Sequence, residues 1–171
     1  MIWLVTGGSG CGKSTWAEKL VQSLPGGKRI YIATMQVYDR ESEERIRRHR
    51  AQRAHLGFRT VECEKNLAVA RVDAESIVLL EDLVNLTANE MFDGGHPDRI
   101  VPDLRDLAAR CGHLIMVTND LFSDGETYSP SVREYLQRLA DINRQAAMLA
   151  DHVIELIYSI PVALKGALPC L

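Results

Sequence analysis

Short runs of apolar and β-branched residues recur along the chain, and stretches with helical spacing separate most of them. The runs predict six strands, at residues 2–6, 29–33, 58–62, 76–81, 113–118 and 153–158. Several are apolar on both faces, which is typical of central strands that helices cover on each side. The periodic stretches predict helices near residues 14–24, 40–54, 83–92, 99–111 and 131–150.

The segment 131–150 has the clearest helical pattern. Ser129 can cap its start, and Pro130 suits its first turn. Apolar residues then recur at three- and four-residue steps and form one face, namely Val132, Leu136, Leu139, Ile142, Ala146 and Leu149. Because strands and helices alternate, the sequence predicts one α/β domain over residues 1–171, with a mainly parallel sheet and helices on both faces. Ligands of such folds bind beyond the carboxyl ends of the strands.

Composition narrows the class of protein. The 171 residues are 46% hydrophobic and 25% charged, with a net charge of −3, so the chain is long and apolar enough for one core and is not basic as a whole. We therefore expect no nucleic-acid partner. Four cysteines lie far apart without a Cys-x-x-Cys spacing, which favours free thiols in a reducing compartment. The sequence has neither a secretory leader nor an apolar run of membrane-spanning length, so we expect a cytoplasmic protein.

A phosphate-binding loop lies close to the start of the chain, in "VTGGSGCGKS" at residues 5–14. It fits the pattern G-x-x-x-x-G-K-[ST], with a predicted strand before it and a predicted helix after it. Its backbone N–H groups, the helix N-terminus and the Lys13 side chain would bind nucleotide phosphates. The expected nucleotide-binding residues of the loop are Gly7, Gly8, Ser9, Gly10, Cys11, Gly12, Lys13 and Ser14.

A bound nucleoside triphosphate needs Mg²⁺, and we expect two side chains to bind this ion. The Ser14 hydroxyl is one, and a carboxylate at the end of a neighbouring strand is the other. The stretch "SIVLLED" ends in Glu81 and Asp82, of which we favour Glu81 and keep Asp82 as the alternative.

The basic stretch "ESEERIRRHRAQR", residues 41–53, allows three interpretations. On a helix, Arg45, His49 and Arg53 share one face. They could form a solvated surface, or bind nucleic acid, although no aromatic residues are interspersed to stack on bases. The third interpretation is a nucleophilic histidine, because cationic neighbours disfavour imidazolium and keep His49 neutral. Neutral imidazole could attack the α-phosphorus of a nucleoside triphosphate and hold the nucleoside monophosphate covalently.

Further motifs separate the classes of phosphate-loop protein. The stretch "VTND", residues 117–120, stands where a GTPase switch would carry Asn-Lys-x-Asp, but it lacks the lysine. A metabolite kinase remains open. In order along the chain come V-T-G-G, "YIAT" with Gln36 soon after, R-I-x-x-H-x-x-x-R, "TVE", "LLE" followed by Asn89, "VTN" and "NRQAAMLADHV". This ordered set, which extends to about Lys165, resembles the bifunctional adenosylcobinamide kinase / adenosylcobinamide-phosphate guanylyltransferase family of cobalamin biosynthesis.

The resemblance implies a RecA-like P-loop fold, a homotrimer and two reactions. The family phosphorylates the aminopropanol hydroxyl of adenosylcobinamide, with GTP or possibly ATP as donor. It then transfers GMP from GTP to that phosphate through a guanylylated histidine, which matches His49. Positions that match the GTP site, besides the phosphate loop, are Thr34, Met35, Gln36, Arg50, Ala51, Gln52, Arg53, Glu62 and Glu81.

The chain departs from the family pattern at three places. Gly10 and Thr15 replace arginines often found in and just after the phosphate loop. In "VTND", Asp120 stands for the usual glutamate, with Phe122 in place of a glycine. "SIPVALKG" keeps Lys165 but lacks the usual glycines before it. We therefore expect guanylyl transfer to be retained, whereas kinase activity is the less secure half. The alternatives are a P-loop kinase of another small metabolite and a nucleotide-binding protein without enzymatic activity.

Overall fold

The computed structural model describes residues 1–37, 40, 44, 47, 51, 53–121 and 128–171. In these residues the strands are β1 (Ile2–Gly7), β2 (Lys28–Ala33), β3 (Phe58–Glu62), β4 (Ser76–Glu81), β5 (His113–Val117), β6 (His152–Ile157) and β7 (Ile160–Lys165). The α-helices are α1 (Lys13–Ser23), α2 (Leu83–Phe92), α3 (Ile100–Arg110) and α4 (Pro130–Leu149), and 3-10 turns lie at Leu67–Val69 and Pro97–Arg99.

The strands form one sheet in the order β3-β2-β4-β5-β1-β6-β7. Every neighbouring pair is parallel except β6 and β7, which form an antiparallel hairpin at one edge. The parallel strands end at a common edge of the sheet, where Ala33, Glu81 and Val117 lie side by side on β2, β4 and β5, and Gly7 ends β1 beyond them. The predicted mainly parallel sheet is confirmed.

Side chains alternate between two cores because successive residues of a strand point to opposite faces. Trp3 and Val5 of β1 pack with Trp16 and Leu20 of α1 on one face. On the other face, Leu4 belongs to a cluster that also includes residues of α2, α3 and α4. The predicted helices on both faces are confirmed, and the central strand β4 is covered on both sides, with Val78, Leu79 and Leu80 fully buried.

Sequence signals account for the helix ends. The side chain of Ser129 accepts a hydrogen bond from the N–H of Val132 at 3.4 Å, and Pro130 is the first residue of α4, as predicted. Residues 40, 44, 47, 51 and 53 are helical, and the rest of the predicted helix at 40–54 lies outside the described residues. Within the described part of the chain, no helix is long and apolar enough to cross a membrane.

Candidate nucleotide-binding site

The loop from Gly7 to Gly12 joins β1 to α1 and depends on its glycines. Gly7 has φ +139° and Gly12 has φ +92°, in the region that L side chains rarely adopt. A Cβ atom on Gly7 would lie 2.5 Å from the carbonyl oxygen of Leu156, and one on Gly12 would lie 2.9 Å from Oγ of Ser159. Glycine at these positions lets the loop curl against the β6–β7 turn.

Lys13 begins α1 and points back into the loop. Its side chain is buried, and Nζ donates a hydrogen bond to the carbonyl oxygen of Gly8 at 2.6 Å. The ammonium group and the α1 N-terminus therefore place positive charge at the same end of the sheet. This arrangement suits the phosphates of a nucleotide.

Ser14 and Glu81 meet across the sheet edge. The Ser14 hydroxyl donates a hydrogen bond to Oε1 of Glu81, the last residue of β4. The other carboxylate oxygen, Oε2, accepts one from the hydroxyl of Tyr31 at 3.1 Å. Burial, and secondarily the charge of Glu81, raises the pKa of Tyr31, so the phenol stays protonated and remains a donor. Both oxygens of Glu81 are thus held in place.

Asp82 follows Glu81 and caps α2. Its side chain accepts hydrogen bonds from the N–H of Asn85 at 2.7 Å and from Nδ2 of Asn85 at 2.9 Å. Burial outweighs these bonds and, with the nearby charge of Glu81, raises the pKa of Asp82 to about 6. The site therefore contains one carboxyl group whose protonation changes near neutral pH.

Arg53 closes the site on the side of β2. It is 5% exposed, and its guanidinium carbon lies 3.5 Å from the centre of the Tyr31 ring. Its Nε and Nη1 are buried and have no hydrogen-bond partner among the described residues. A cation–π contact thus fixes the guanidinium group while leaving donors for a ligand.

These side chains surround a pocket of about 210 Å³ beyond the strand ends. Eight of the predicted site residues line it, namely Ser9, Gly10, Lys13, Ser14, Met35, Arg53, Glu62 and Glu81. Thr34 instead lies beneath the pocket, fully buried, where its Oγ1 accepts a hydrogen bond from the N–H of Asp82 and donates one to the Asp82 carbonyl. Gln36 and Ala51 do not line the pocket. His49, Arg50 and Gln52 lie outside the described residues.

The pocket also contains residues that the sequence did not single out as nucleotide-binding. These are Tyr31, Ala33, Asn85 and Val117, together with Asp82 and Asn119. In the sequence, Tyr31 is indistinguishable from any other strand residue. It contacts Glu81 because β2 and β4 are neighbours in the sheet, with Tyr31 opposite Leu79. Asp82, the alternative metal ligand, and Asn119 both follow buried strands, so their positions in the sequence indicated this edge of the sheet.

The oxygen ligands at the strand ends suit Mg²⁺. Ser14 and Glu81 supply hydroxyl and carboxylate oxygens, the hard ligands this ion prefers. Among the residues that the structure describes, no group of three or more His, Cys, Asp or Glu side chains gathers into a metal cage. An ion here would complete its coordination with phosphate oxygens and water, as Mg²⁺ in nucleotide sites does.

Comparisons with known proteins agree on one family. The model of the cobinamide kinase / cobinamide phosphate guanyltransferase family matches residues 3–164. The chain is 31% identical to the bifunctional adenosylcobalamin biosynthesis protein CobU of Escherichia coli strain K12, over 96% of this chain and all of that protein. It is also 31% identical to the protein of the same name from Salmonella typhimurium strain LT2, with the same coverage.

Solved structures are similar in fold only. The flagellar accessory protein FlaH from Methanocaldococcus jannaschii superposes with a TM-score of 0.52 at 12% identity, covering 96% of this chain and 77% of that one. The fold is that of RecA-like P-loop proteins, as the sequence predicted.

Proposed function

Because this chain belongs to the cobinamide kinase / cobinamide phosphate guanyltransferase family, we propose that it catalyses both reactions of that name in cobalamin biosynthesis. It phosphorylates the hydroxyl of adenosylcobinamide and transfers GMP from GTP to the resulting phosphate. The observation that supports this most is the pocket where Lys13, Ser14, Arg53 and Glu81 converge, within the region that the family model matches. A kinase of another small metabolite would use the same loop but would need no nucleophilic histidine.

In the kinase step, the substrate hydroxyl attacks the γ-phosphorus of the donor, which is ATP or GTP. The bond from that phosphorus to the β,γ-bridging oxygen breaks, and the nucleoside diphosphate leaves with the electron pair. Asp82 lines the pocket and has a pKa raised to about 6, so it is placed to accept the hydroxyl proton. Lys13 and the N-terminus of α1 offset the phosphate charge.

Mg²⁺ bound by Ser14 and Glu81 would neutralise charge on the phosphate oxygens. The protein side of this site is built so that Glu81 keeps its position, because Tyr31 donates to the oxygen that Ser14 does not contact. Arg53, with unpartnered donors among the described residues, is placed to bind a phosphate oxygen of the substrate.

In the guanylyl step, an imidazole nitrogen of His49 attacks the α-phosphorus of GTP, and the bond to the α,β-bridging oxygen breaks to release pyrophosphate. A phosphate oxygen of the corrinoid substrate then attacks the same phosphorus, the nitrogen–phosphorus bond breaks, and adenosylcobinamide-GDP leaves. His49 precedes Arg53 by four residues. The support for His49 as the nucleophile is its match to the histidine of R-I-x-x-H in the family resemblance, since the residue itself lies outside the described part of the chain.

Incubation with GTP labelled at the α-phosphate tests the guanylyl step directly. We expect acid-labile, alkali-stable label on His49, removed by pyrophosphate, and no label from γ-labelled GTP. His49→Ala should abolish the label, whereas His55→Ala, at an exposed histidine six residues further along, should keep it. A His49→Ala variant that still forms the GDP product at the parental rate would rule out the covalent intermediate.

We extend the proposal to assembly and location. A homotrimer is what the family resemblance implies. All four cysteines are free, with Cys63 buried and Cys170 exposed, and free thiols are typical of a reducing compartment such as the cytoplasm. A corrinoid is the small-molecule partner, and no nucleic acid is involved.

A further inference from the structure

A second cavity flanks the phosphate loop on the side of the β6–β7 hairpin. It measures about 740 Å³ and is lined by residues 8–11 of the loop and residues 155–159 of the hairpin. The pocket that contains Lys13 and Glu81 measures about 210 Å³, which is below the ~300–1,000 Å³ typical of sites for whole small-molecule ligands. That pocket has room for phosphates and a metal ion, so the nucleoside of a bound nucleotide needs space elsewhere.

The hairpin turn presents an aromatic ring to this cavity. Tyr158 lines it and is 91% exposed, although a large aromatic side chain is ordinarily more buried. Tyr158 and Ser159 have φ values of 49° and 66°, a conformation that costs about 1–2 kcal/mol in a residue other than glycine. These two residues form the two-residue turn between Ile157 and Ile160, and a tight hairpin turn requires such φ values.

The turn is bonded to the phosphate loop. Oγ of Ser159 donates a hydrogen bond to the carbonyl oxygen of Cys11 at 3.2 Å. Ser159 also lies against Gly12, because a Cβ atom on Gly12 would be 2.9 Å from Oγ of Ser159. The turn that carries Tyr158 is therefore joined to the loop that binds phosphates.

The two reactions require different phosphorus atoms at the pocket of Lys13 and Glu81. A triphosphate whose nucleoside lies on the Tyr158 side presents its γ-phosphorus there. A triphosphate that lies in the other direction, with its nucleoside towards Arg53 and Glu62, presents its α-phosphorus at this pocket instead. We propose that Tyr158 stacks against the base of the phosphoryl donor, in a nucleoside site separate from the one used for guanylyl transfer. This inference rests on the proposed function and assigns one half-reaction to each side of the loop.

Stacking is indifferent to the identity of the base, because every base has a π face. We therefore expect ATP and GTP to compete for this site with similar affinity. The variants Tyr158→Ala and Tyr158→Phe separate the ring from the rest of the turn, and Leu168→Ala, at an exposed residue outside the cavity, is the control.

The test compares binding of a non-hydrolysable ATP analogue with binding of inorganic tripolyphosphate, which lacks a nucleoside. We expect Tyr158→Ala to weaken binding of the analogue about tenfold and to leave binding of tripolyphosphate unchanged, with Tyr158→Phe and Leu168→Ala close to the parent. The KM for ATP in cobinamide phosphorylation should rise by the same factor, whereas the concentration of α-labelled GTP that gives half-maximal labelling should not change.

Unchanged binding of the analogue in Tyr158→Ala would overturn the inference. Equal weakening of tripolyphosphate would also overturn it, because the ring would then act through the shape of the loop. A tenfold rise in the α-labelled GTP concentration for half-maximal labelling would show that a single nucleoside site serves both reactions, and it would overturn the inference as well. A parent protein that binds neither ligand would contradict the proposed function itself, which distinguishes the two failures.

Discussion

At the scale of single residues, Asp82 experiences opposing effects. Its bonds to Asn85 favour the carboxylate, but burial and Glu81 raise its pKa to about 6. The pKa in the unfolded chain is the ordinary value near 3.8. A carboxyl group with a raised pKa in the folded state contributes stability that is complete below the unfolded pKa and is lost as pH rises through the folded pKa. Asp82 therefore destabilises the ligand-free protein at neutral pH.

The variant Asp82→Asn removes this charge and keeps a side-chain oxygen that can cap α2. Between about pH 4 and pH 7 we expect its free energy of unfolding to rise by ~1–3 kcal/mol relative to the parent. Urea denaturation across this range measures the difference, and Asp106→Asn, at an exposed aspartate of α3, serves as control. Parallel stability curves for parent and Asp82→Asn would contradict the raised pKa. The same variant should phosphorylate cobinamide more slowly.

Tyr31 positions Glu81 through the hydrogen bond from its hydroxyl to Oε2. In Tyr31→Phe, the ring beneath Arg53 remains, but the hydrogen bond to Oε2 of Glu81 is lost. Groups that orient a metal ligand typically change metal affinity by about 10- to 100-fold. We expect the Mg²⁺ concentration for half-maximal nucleotide binding to rise about tenfold, as titration calorimetry would measure.

Tyr135→Phe is the matched control for Tyr31→Phe, because its hydroxyl donates to the carbonyl oxygen of Val84, outside the pocket. A Tyr31→Phe protein with parental Mg²⁺ dependence would show that Glu81 keeps its position without the phenol.

At the scale of elements, the C-terminal hairpin is fastened to α4 by Lys165. Its Nζ donates to the carbonyl oxygens of Ala147 and Met148 at 3.2 Å and of Ala150 at 2.5 Å. These carbonyls end a helix and carry partial negative charge, so an ammonium group stabilises them. Lys165 therefore joins the last strand of the sheet to the longest described helix.

We expect Lys165→Met to lower the free energy of unfolding by about 1 kcal/mol, since the group is exposed and partly screened by water. Thermal or urea denaturation measures this loss. Lys19 is an exposed lysine of α1 whose ammonium group has no hydrogen bond to another described residue. Lys19→Met should therefore leave the free energy of unfolding unchanged within experimental error. Equal stability of the two variants would show that water hydrogen-bonds to the three carbonyl oxygens as favourably as Lys165 does.

The sequence predicts six of the strands to within about one residue at each end, because buried parallel strands have continuous apolar runs. It misses β7, since Pro161 argues against a strand and the turn residues Tyr158 and Ser159 are not the usual Asn-Gly pair. Local sequence patterns predict four residues of the site, namely Lys13, Ser14, Glu81 and Arg53. The roles of Tyr31 and Asn85 could not be predicted, because they depend on which strands are neighbours.

At the scale of the whole molecule, β7 is an exposed edge of the sheet. Ile160, Val162 and Leu164 alternate along it and are 65%, 38% and 59% exposed. Apolar rows on an edge strand favour association with another chain. If the protein is the homotrimer we propose, light scattering should give three times the chain mass of 19.1 kDa.

The variant Leu164→Lys tests whether β7 takes part in that assembly. A charge in the middle of an apolar contact should shift the measured mass towards one chain. Leu168→Lys, beyond the end of β7 and 46% exposed, should leave the mass unchanged. A parent protein with the mass of a single chain would contradict the trimer, and a Leu164→Lys trimer would place the contact elsewhere.

The bond from Lys13 to the carbonyl oxygen of Gly8 has a consequence for selectivity among anions. Without nucleotide, the Gly8 carbonyl oxygen accepts a hydrogen bond from Lys13. Every incoming phosphate therefore competes with this carbonyl oxygen for the ammonium group. The Gly8 carbonyl competes for the ammonium group at an effective concentration on the order of millimolar. Inorganic phosphate at low concentration therefore does not replace this carbonyl. A triphosphate does replace it, because it forms further hydrogen bonds along the loop.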